Sequence, residues 1–355
     1  MSKWIGDNIY VEIYGTSHGD AVGVKCEKFP SVSIDEEKLL AFMKRRQGGQ
    51  GIGTTPRKED DVPEFVSGYD NGQIKNGKFE AIIKNQNKKS SDYNELYGKP
   101  RPSHADYCDY VKCGNLDFRG GGRFSARLTA PICVAGFVAK EYLNKKGIYA
   151  HAYVSSVGKV QGRSYKDGVE REQLENISGF PSLTKKSRMK KEIQKAVKKG
   201  DSVGATCECV VYGVKAGAGN DYFDGLEGKI ASLLYSIPAV KGVEFGLGFD
   251  IAKMNGSKSN DAFYFDGDEV KTKTNNAGGI NGGISNGMPI TMRVAFRPTP
   301  SISIEQDTVD LVNKTNVKIK IKGRHDGCVA VRALPVIESV VYLALLDLGD
   351  IYENR

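Results

Sequence analysis

Segments with the pattern of strands and segments with the pattern of helices follow one another in this chain without a regular strand-helix-strand order. Strand-like alternation occurs in IYAHAYV, ATCECVVYGV and ITMRVAF. Helical periodicity predicts helices over residues 35–47, about 125–146, 187–199, and from Pro335 through VIESVVYLALLDL. Mixed elements of this kind favour an α+β fold over a doubly wound parallel sheet.

Capping residues set the expected helix bounds. Asp35 is the predicted N-cap of the first helix and Gly48 lies just past its end. Ser187 and Gly200 are predicted to bound the lysine-rich helix. Proline is favoured at the first helical position, so the last helix is expected to begin at Pro335.

The size and composition of the chain predict one folded unit. Its 355 residues, 39% of them apolar, can bury one large core or two ordinary ones. Because neither a repeat nor a low-complexity linker divides it, we predict a single domain over residues 1–355. The sequence lacks both an apolar run of membrane-spanning length and the pattern of a signal peptide. Seven scattered cysteines without a C-x-x-C pair predict reduced thiols and no metal site, in a soluble cytoplasmic protein.

Arginine and glycine cluster in the segments RRQGGQGIGTT and RGGGRFSAR, while NNAGGINGGISNG is rich in glycine. The net charge of +8 favours an anionic partner. Guanidinium groups bind carboxylate and phosphate in a bidentate manner, so converging arginines predict a small ligand with several anionic groups. The arginines concerned are Arg45, Arg46, Arg57, Arg101, Arg119, Arg123, Arg127 and Arg324.

Three of the four histidines lie in dense polar motifs, namely His18 in GTSHGD, His104 in RPSHAD and His325 in GRHDGC. Histidine titrates near neutrality, so two or three brought together can donate and accept protons. Each of them alone could equally be a hydrogen-bonded structural residue. His151, within a predicted strand, is interpreted as structural.

A nucleic-acid-binding protein is the minor alternative, suggested by RGGGR, the net charge and the lysine-rich helix. RNA-binding tails repeat such units and are disordered, whereas here a single copy precedes a helix-forming stretch. We therefore expect no nucleic-acid partner and no membrane partner.

Five segments, taken in order, resemble the chorismate synthase family. They are GTSHGD; RRQGGQGIGTTPRKEDD; RPSHADYCDYVKCGNLDFRGGGRFSAR; GDSVGA with SIPAVKGVEFGLGF; and NNAGGINGGISNGMPI continuing through FRPTPSI to GRHDGCVAVRALPVIES. The resemblance covers about residues 10 to 350. It implies a β-α-α-β sandwich of antiparallel sheets flanking helices, usually assembled as a homotetramer.

The activity implied by this resemblance is an anti-1,4-elimination of phosphate from 5-enolpyruvylshikimate-3-phosphate, giving chorismate. The reaction involves no net redox change, yet it requires reduced FMN. The substrate carries one phosphate and two carboxylates, which agrees with the excess of arginine.

The resemblance also implies roles for residues that match the family's motifs. His18 matches the acid that protonates the departing phosphate, and His104 matches the histidine that protonates reduced flavin. Asp326, with Ser17 close to the same relay, matches the acid that helps to remove a proton from flavin N5. Asp326 could instead only orient Arg324, and Ser17 could only cap a turn.

Two further residue sets follow from the same matches. The substrate set comprises Arg46, Arg101, Arg127 and Arg324, of which Arg46 also matches a family position that contacts NADPH. The cofactor set comprises Arg123, Phe124, Ser125, Pro238, Ala239, Gly282, Arg297, Pro298, Thr299, Pro300, Ser301 and Arg324.

Several positions depart from the family pattern, among them Thr16, Ile52 and Leu128, together with Ser103, Cys113, Arg297 and Gly327. Many family members have arginine where this chain has Ile52, and the change counts against a nicotinamide contact at this position. NADPH is therefore expected only indirectly, as a possible reductant. A bifunctional synthase that reduces its own FMN with NADPH is the second alternative. The lack of a G-x-G-x-x-G segment between a strand and a helix counts against it.

Overall fold

The structure, a computed structural model, describes residues 2–49, 53–54, 59–86, 96–118, 120–321 and 325–349. Its α-helices are α1 (Glu36–Arg46), α2 (Asp106–Cys113), α3 (Thr129–Lys145), α4 (Arg171–Glu175), α5 (Lys186–Lys198), α6 (Leu226–Ser236), α7 (Gly256–Ser259) and α8 (Ala330–Leu346). Its strands are β1 (Ser2–Ile5), β2 (Tyr10–Gly15), β3 (Ala21–Glu27), β4 (Val32–Ser33), β5 (Glu64–Ser67), β6 (Tyr69–Asp70), β7 (Gln73–Ile74), β8 (Lys78–Lys84), β9 (Tyr149–Val157), β10 (Val160–Gln161), β11 (Ala205–Tyr212), β12 (Val240–Phe245), β13 (Phe263–Asp266), β14 (Glu269–Thr272), β15 (Ile280–Asn281), β16 (Ile284–Ser285), β17 (Ile290–Phe296), β18 (Gln306–Asp310) and β19 (Thr315–Ile319).

Two five-stranded sheets dominate the fold, in the orders β1-β2-β3-β8-β5 and β10-β9-β11-β17-β12. Every pairing in both sheets is antiparallel. The shorter strands form one three-stranded sheet and three two-stranded hairpins. The chain is therefore α+β, as predicted.

Helices α3 and α8 pack against each other and each also contacts a large sheet. Helix α3 contacts β2, β3 and β8, whereas α8 contacts β9 and β11. Gly136 permits this close approach, because a Cβ atom there would collide with Ser339 on α8. One cluster of buried apolar side chains runs from Ile9 to Leu348, so both sheets and both helices share a core.

Helix bounds follow the predictions at some ends and not at others. The Asp35 carboxylate accepts a hydrogen bond from the Lys38 backbone N–H, which confirms the predicted cap of α1. The expected start of the last helix at Pro335 was wrong, because α8 begins at Ala330. Burial of residues 330 and 333–346 extends the helix through the proline, and tertiary packing here outweighs the local signal.

Two other helices also begin elsewhere than predicted. Helix α5 begins at Lys186, with Lys185 in its cap position, so Ser187 is not the N-cap. Helix α3 begins at Thr129, and two 3-10 turns occupy residues 122–124 and 126–128. Across the described ranges, no helix has both the length and the apolar character needed to cross a bilayer.

Candidate functional site

A cleft of about 170 Å³ opens where the C-terminal end of α1, the turns before α3 and the segment before α8 meet. We call it the arginine cleft. Its lining residues are Arg46, Gly48, Glu59, Asp61, Ser125, Ala126, Arg127, Thr299, Ser301, His325, Asp326 and Arg332. Since charged and hydroxyl side chains predominate, the cleft suits a polar ligand.

Asp61 bridges two arginines in the floor of this cleft. Its carboxylate accepts hydrogen bonds from the guanidinium groups of Arg46 and Arg127, and all three side chains are buried. Glu59 makes a second ion pair with Arg127, at 2.9 Å. Burial alone would raise the pKa of Asp61, but the two arginines outweigh that effect and lower it.

Asn85 connects Arg127 to the turn that carries His18. Its Oδ1 accepts a hydrogen bond of 2.8 Å from Arg127 Nε. Its Nδ2 donates to the carbonyl oxygens of Thr16 and Gly19, at 3.1 and 2.8 Å. The His18 turn and the arginine cleft are therefore joined by direct hydrogen bonds.

Asp106 organises the second group of predicted site residues. It accepts hydrogen bonds from Arg101 Nε at 2.7 Å and Nη2 at 2.8 Å, and its Oδ1 lies 2.5 Å from His104 Nδ1. An ionised carboxylate only accepts, so this contact favours the tautomer of His104 with its hydrogen on Nδ1. Burial would raise the pKa of Asp106, yet its bonds to Arg101 and His104 lower it to about 2.

Gly120 contacts both His18 and Arg101. Arg101 Nη2 donates to the Gly120 carbonyl at 2.6 Å, and a Cβ atom at this position would collide with the His18 imidazole. Buried Ser17 places its hydroxyl 3.1 Å from His18 Nδ1. Ser17, His18, Arg101, His104, Asp106 and Gly120 are called the histidine cluster below.

Arg332 holds Asp326 at the edge of the arginine cleft. Its Nη1 lies 3.0 and 2.8 Å from the two oxygens of Asp326, and its Nε donates to the Arg46 carbonyl at 2.9 Å. The Gly53 carbonyl accepts from the backbone N–H groups of Gly327 and Cys328 at 2.7 and 3.1 Å. These bonds fasten the segment of Asp326 to that of Arg46.

The predicted cofactor residues divide into several groups. Ser125, Thr299 and Ser301 line the arginine cleft, and Pro238 lines a small adjoining pocket that shares Arg46, Ala126 and Arg332. Ala239, in a left-handed conformation, accepts a backbone hydrogen bond from Arg297 at 3.0 Å. Pro298 and Pro300 belong to the same 297–301 segment but do not line either pocket.

Three members of the cofactor set, Arg123, Phe124 and Gly282, do not line the arginine cleft. Arg123 pairs with Asp109 on α2 and stacks on half-exposed Phe124. Gly282 occupies the β15–β16 turn, whose neighbour Gly283 contacts the chain just before α6. Pro238 and Ala239 follow the opposite end of α6, about 16 Å away along a helix of eleven residues. Within one chain, Gly282 and the arginine cleft are therefore apart.

Arg324, placed in both the substrate and cofactor sets, lies outside the described residues, as do Ile52, Arg57 and Arg119. Arg45, which the sequence groups with Arg46, is directed away from the cleft. Its guanidinium makes two hydrogen bonds, of 2.6 and 2.7 Å, with Glu338 of α8.

Sequence reasoning missed Glu59, Asp61, Asn85, Asp106 and Arg332 as members of the site. Asp61 and Asn85 meet Arg46 or Arg127, and Arg332 meets Arg46, only through tertiary contacts, although Arg332 follows Asp326 by six residues. Asp106 had a local signal, because it ends the RPSHAD motif within two residues of His104.

Buried hydrogen-bonding atoms without a partner mark where a ligand fits. Among the described residues, Arg46 Nε and Thr299 Oγ1 of the arginine cleft are buried with no hydrogen bond, as is Arg297 Nε. Buried donors normally find an acceptor. The cleft therefore suits an anionic ligand that supplies oxygen atoms.

Fold and site together define an α+β protein whose arginine-lined cleft is joined by hydrogen bonds to a cluster that contains two histidines. The sequence model of the chorismate synthase family matches residues 9–349. A chorismate synthase of Dehalococcoides mccartyi is 40% identical over 352 residues, covering 98% of this chain and 97% of that protein. One of Thermococcus gammatolerans is 43% identical over 339 residues, covering 94% of each.

A solved structure described as the crystal structure of chorismate synthase superposes with a TM-score of 0.75 at 27% identity. The alignment covers 97% of this chain and 92% of that one. The chain belongs to the chorismate synthase family, whose members are lyases. This assignment favours the lyase interpretation over the flavin-reductase and nucleic-acid-binding alternatives.

Proposed function

We propose that this chain converts 5-enolpyruvylshikimate-3-phosphate to chorismate by anti-1,4-elimination of phosphate, with reduced FMN required. The observation that carries the proposal is the juxtaposition of the arginine cleft with the histidine cluster. Family membership supplies the reaction class. The cleft offers cationic groups for a polyanion, and the neighbouring cluster offers groups that can give and take protons.

The substrate clamp consists of Arg46, Arg101, Arg127 and Arg324. Arg46 and Arg127 project into the cleft from two sides of Asp61, so their guanidinium groups have a fixed spacing. Arg101 bonds with Asp106, Phe118 and Gly120 and its Nη2 lies 3.2 Å from His104 Nδ1, so it also shapes the histidine cluster.

Protons are handled by His18, His104 and Asp326. His18, with Ser17 at its Nδ1, protonates the departing phosphate. His104, whose Nδ1 is held by Asp106, would supply a proton to reduced FMN bound beside it. Asp326, held by Arg332, would accept a proton released by the bound flavin.

The chemistry that bound reduced FMN would supply is a transient donation of electron density to the substrate, with no net redox change. The residues that would hold it are Arg123, Phe124, Ser125, Pro238, Ala239, Gly282, Arg297, Pro298, Thr299, Pro300, Ser301 and Arg324. The unpartnered Thr299 hydroxyl and the neighbouring Ser301 and Ser125 suit an oxygen-rich ligand. NADPH enters only indirectly, as a possible reductant of the flavin.

The finer architecture belongs to the same proposal. The layering of two antiparallel sheets on α3 and α8 is consistent with a β-α-α-β sandwich, and the shared core with one domain over residues 1–355. Strongly exposed aromatic side chains support assembly with further copies of the chain, since exposed apolar patches commonly mark interfaces, and the family resemblance implies a homotetramer. Phe223, Phe249, Phe263 and Phe265 are exposed by 100%, 82%, 67% and 77%. We place the protein in the cytoplasm.

An anaerobic assay tests the activity. The purified protein is mixed with 5-enolpyruvylshikimate-3-phosphate and chemically reduced FMN, and phosphate release is followed together with chorismate absorbance. Stoichiometric appearance of both products, lost when the flavin is oxidised, is the expected result. Folded protein that binds FMN but forms neither product would refute the proposal. Oxidation of NADPH by protein and FMN alone would revive the bifunctional alternative.

A further inference from the structure

Asn85 is a buried amide at the base of the turn that carries His18. It directly follows β8, next to the connection between β2 and β3. Its Nδ2 donates to Thr16 O and Gly19 O, and its backbone N–H donates to Asp20 O at 2.9 Å. Three hydrogen bonds from one residue thus hold the residues on both sides of His18.

The opposite end of the same amide holds Arg127. Asn85 Oδ1 accepts from Arg127 Nε at 2.8 Å, and Arg127 Nη2 donates to the adjacent Lys84 carbonyl at 3.1 Å. A short amide provides two donors and an acceptor on one rigid plane. Aspartate has the same shape but cannot donate, and it would face two carbonyl oxygens.

We propose that Asn85 is a positioning residue that couples the His18 turn to Arg127. It fixes the distance between the group that protonates the leaving phosphate and the guanidinium that binds the anionic substrate. The inference rests on the proposed function for the roles of His18 and Arg127. The geometry that carries it is independent of those roles.

A double-mutant cycle tests the coupling in the anaerobic phosphate-release assay. Asn85→Asp is expected to lower kcat about tenfold or more in the parent enzyme, within the usual range for a misplaced acid. In the His18→Ala background the same change should lower kcat by no more than about twofold, because the residue acts through His18. If Asn85→Asp lowered kcat by the same factor in the parent and in the His18→Ala background, the proposal would be overturned.

Controls separate this effect from general damage. Asn176→Asp makes the same change where Nδ2 also donates to a backbone carbonyl, at the end of α4 and outside the cleft. It should leave kcat within about twofold of the parent value. If Asn85→Asp does not fold, Asn85→Ser takes its place in the cycle.

A second readout needs neither flavin nor turnover. With only four histidines in the chain, their ring NMR signals can be assigned through His18→Ala. Arg127→Lys should move the His18 signals in the parent and less so in the Asn85→Ser protein. Unmoved His18 signals in both would overturn the coupling even if the enzyme is active. If the His18 signals shift as expected in a protein that releases no phosphate, the proposed function is refuted and the coupling through Asn85 still stands.

Discussion

The arginine cleft and the histidine cluster are both built on buried carboxylates, but they are assembled over different sequence distances. In the cleft, Asp61 bridges Arg46 and Arg127, which lie 15 and 66 residues away. In the cluster, Asp106 binds Arg101 and His104, which lie five and two residues away.

The two buried carboxylates serve different purposes in the cleft and in the cluster. The cleft must hold several like charges close together, so its carboxylates offset repulsion that burial would strengthen. The cluster must hold a ring in one orientation, so its carboxylate fixes a tautomer. Removing a carboxylate should therefore damage stability most in the cleft, whereas removing a histidine should damage turnover most in the cluster.

The largest expected effect is that of Asp61→Asn. The change leaves two buried guanidinium groups without their shared anion, and losing one partner of such a network costs about 4 kcal/mol. Urea unfolding measures the loss. Asp109→Asn is the matched control, because Asp109 pairs with half-exposed Arg123, and it should lower stability far less than Asp61→Asn. Equal losses for the two variants would show that the cleft is not charge-balanced by Asp61.

Replacing a histidine of the cluster comes next. His18→Ala and His104→Ala should each lower kcat by about a hundredfold or more, equivalent to about 2.7 kcal/mol of barrier. His151→Ala is the control, since His151 lies on β9 and pairs with Glu175 outside both regions. Steady-state phosphate release measures all three. A folded variant at position 18 or 104 with a near-normal rate would remove that residue from the mechanism.

The same contrast shows how far the sequence could predict the site. Arg101, His104 and Asp106 lie within the six residues of RPSHAD, so one turn of the chain is enough to bring their side chains together. The motif itself therefore indicates the cluster. Asp61, Asn85 and Arg332 carry no such signal. Their bonds to Arg46 and Arg127 form only when β8, α1, α3 and α8 pack, and pairing across 286 residues is invisible to local patterns, although Arg332 also pairs with Asp326 six residues away. The α+β class was predictable from periodicity, whereas the start of α8 depended on burial around Pro335.

Acid sensitivity probes the carboxylate of the cluster. The pKa of Asp106 is lowered from its ordinary 3.8 to about 2, so its ionised form favours the folded state. That contribution, about 2 kcal/mol, is fully present above pH 4 and disappears as the pH falls toward 2. Asp106→Asn should lack this dependence. Unfolding measured between pH 6 and 2 should show the parent and variant curves converging at low pH, and a constant gap would contradict the assignment.

The smallest effect distinguishes two adjacent arginines of α1. Arg45→Lys should keep one of two hydrogen bonds to Glu338 and lose about 1 kcal/mol of stability, with kcat and KM within about twofold of the parent. Arg46→Lys should instead raise KM about tenfold, because a lysine cannot reach Asp61 and a bound anion together. Urea unfolding and steady-state kinetics on both variants measure the contrast. If Arg45→Lys raised KM as much as Arg46→Lys, the cleft would extend to the Glu338 side of α1, and its boundary at Arg46 would be wrong.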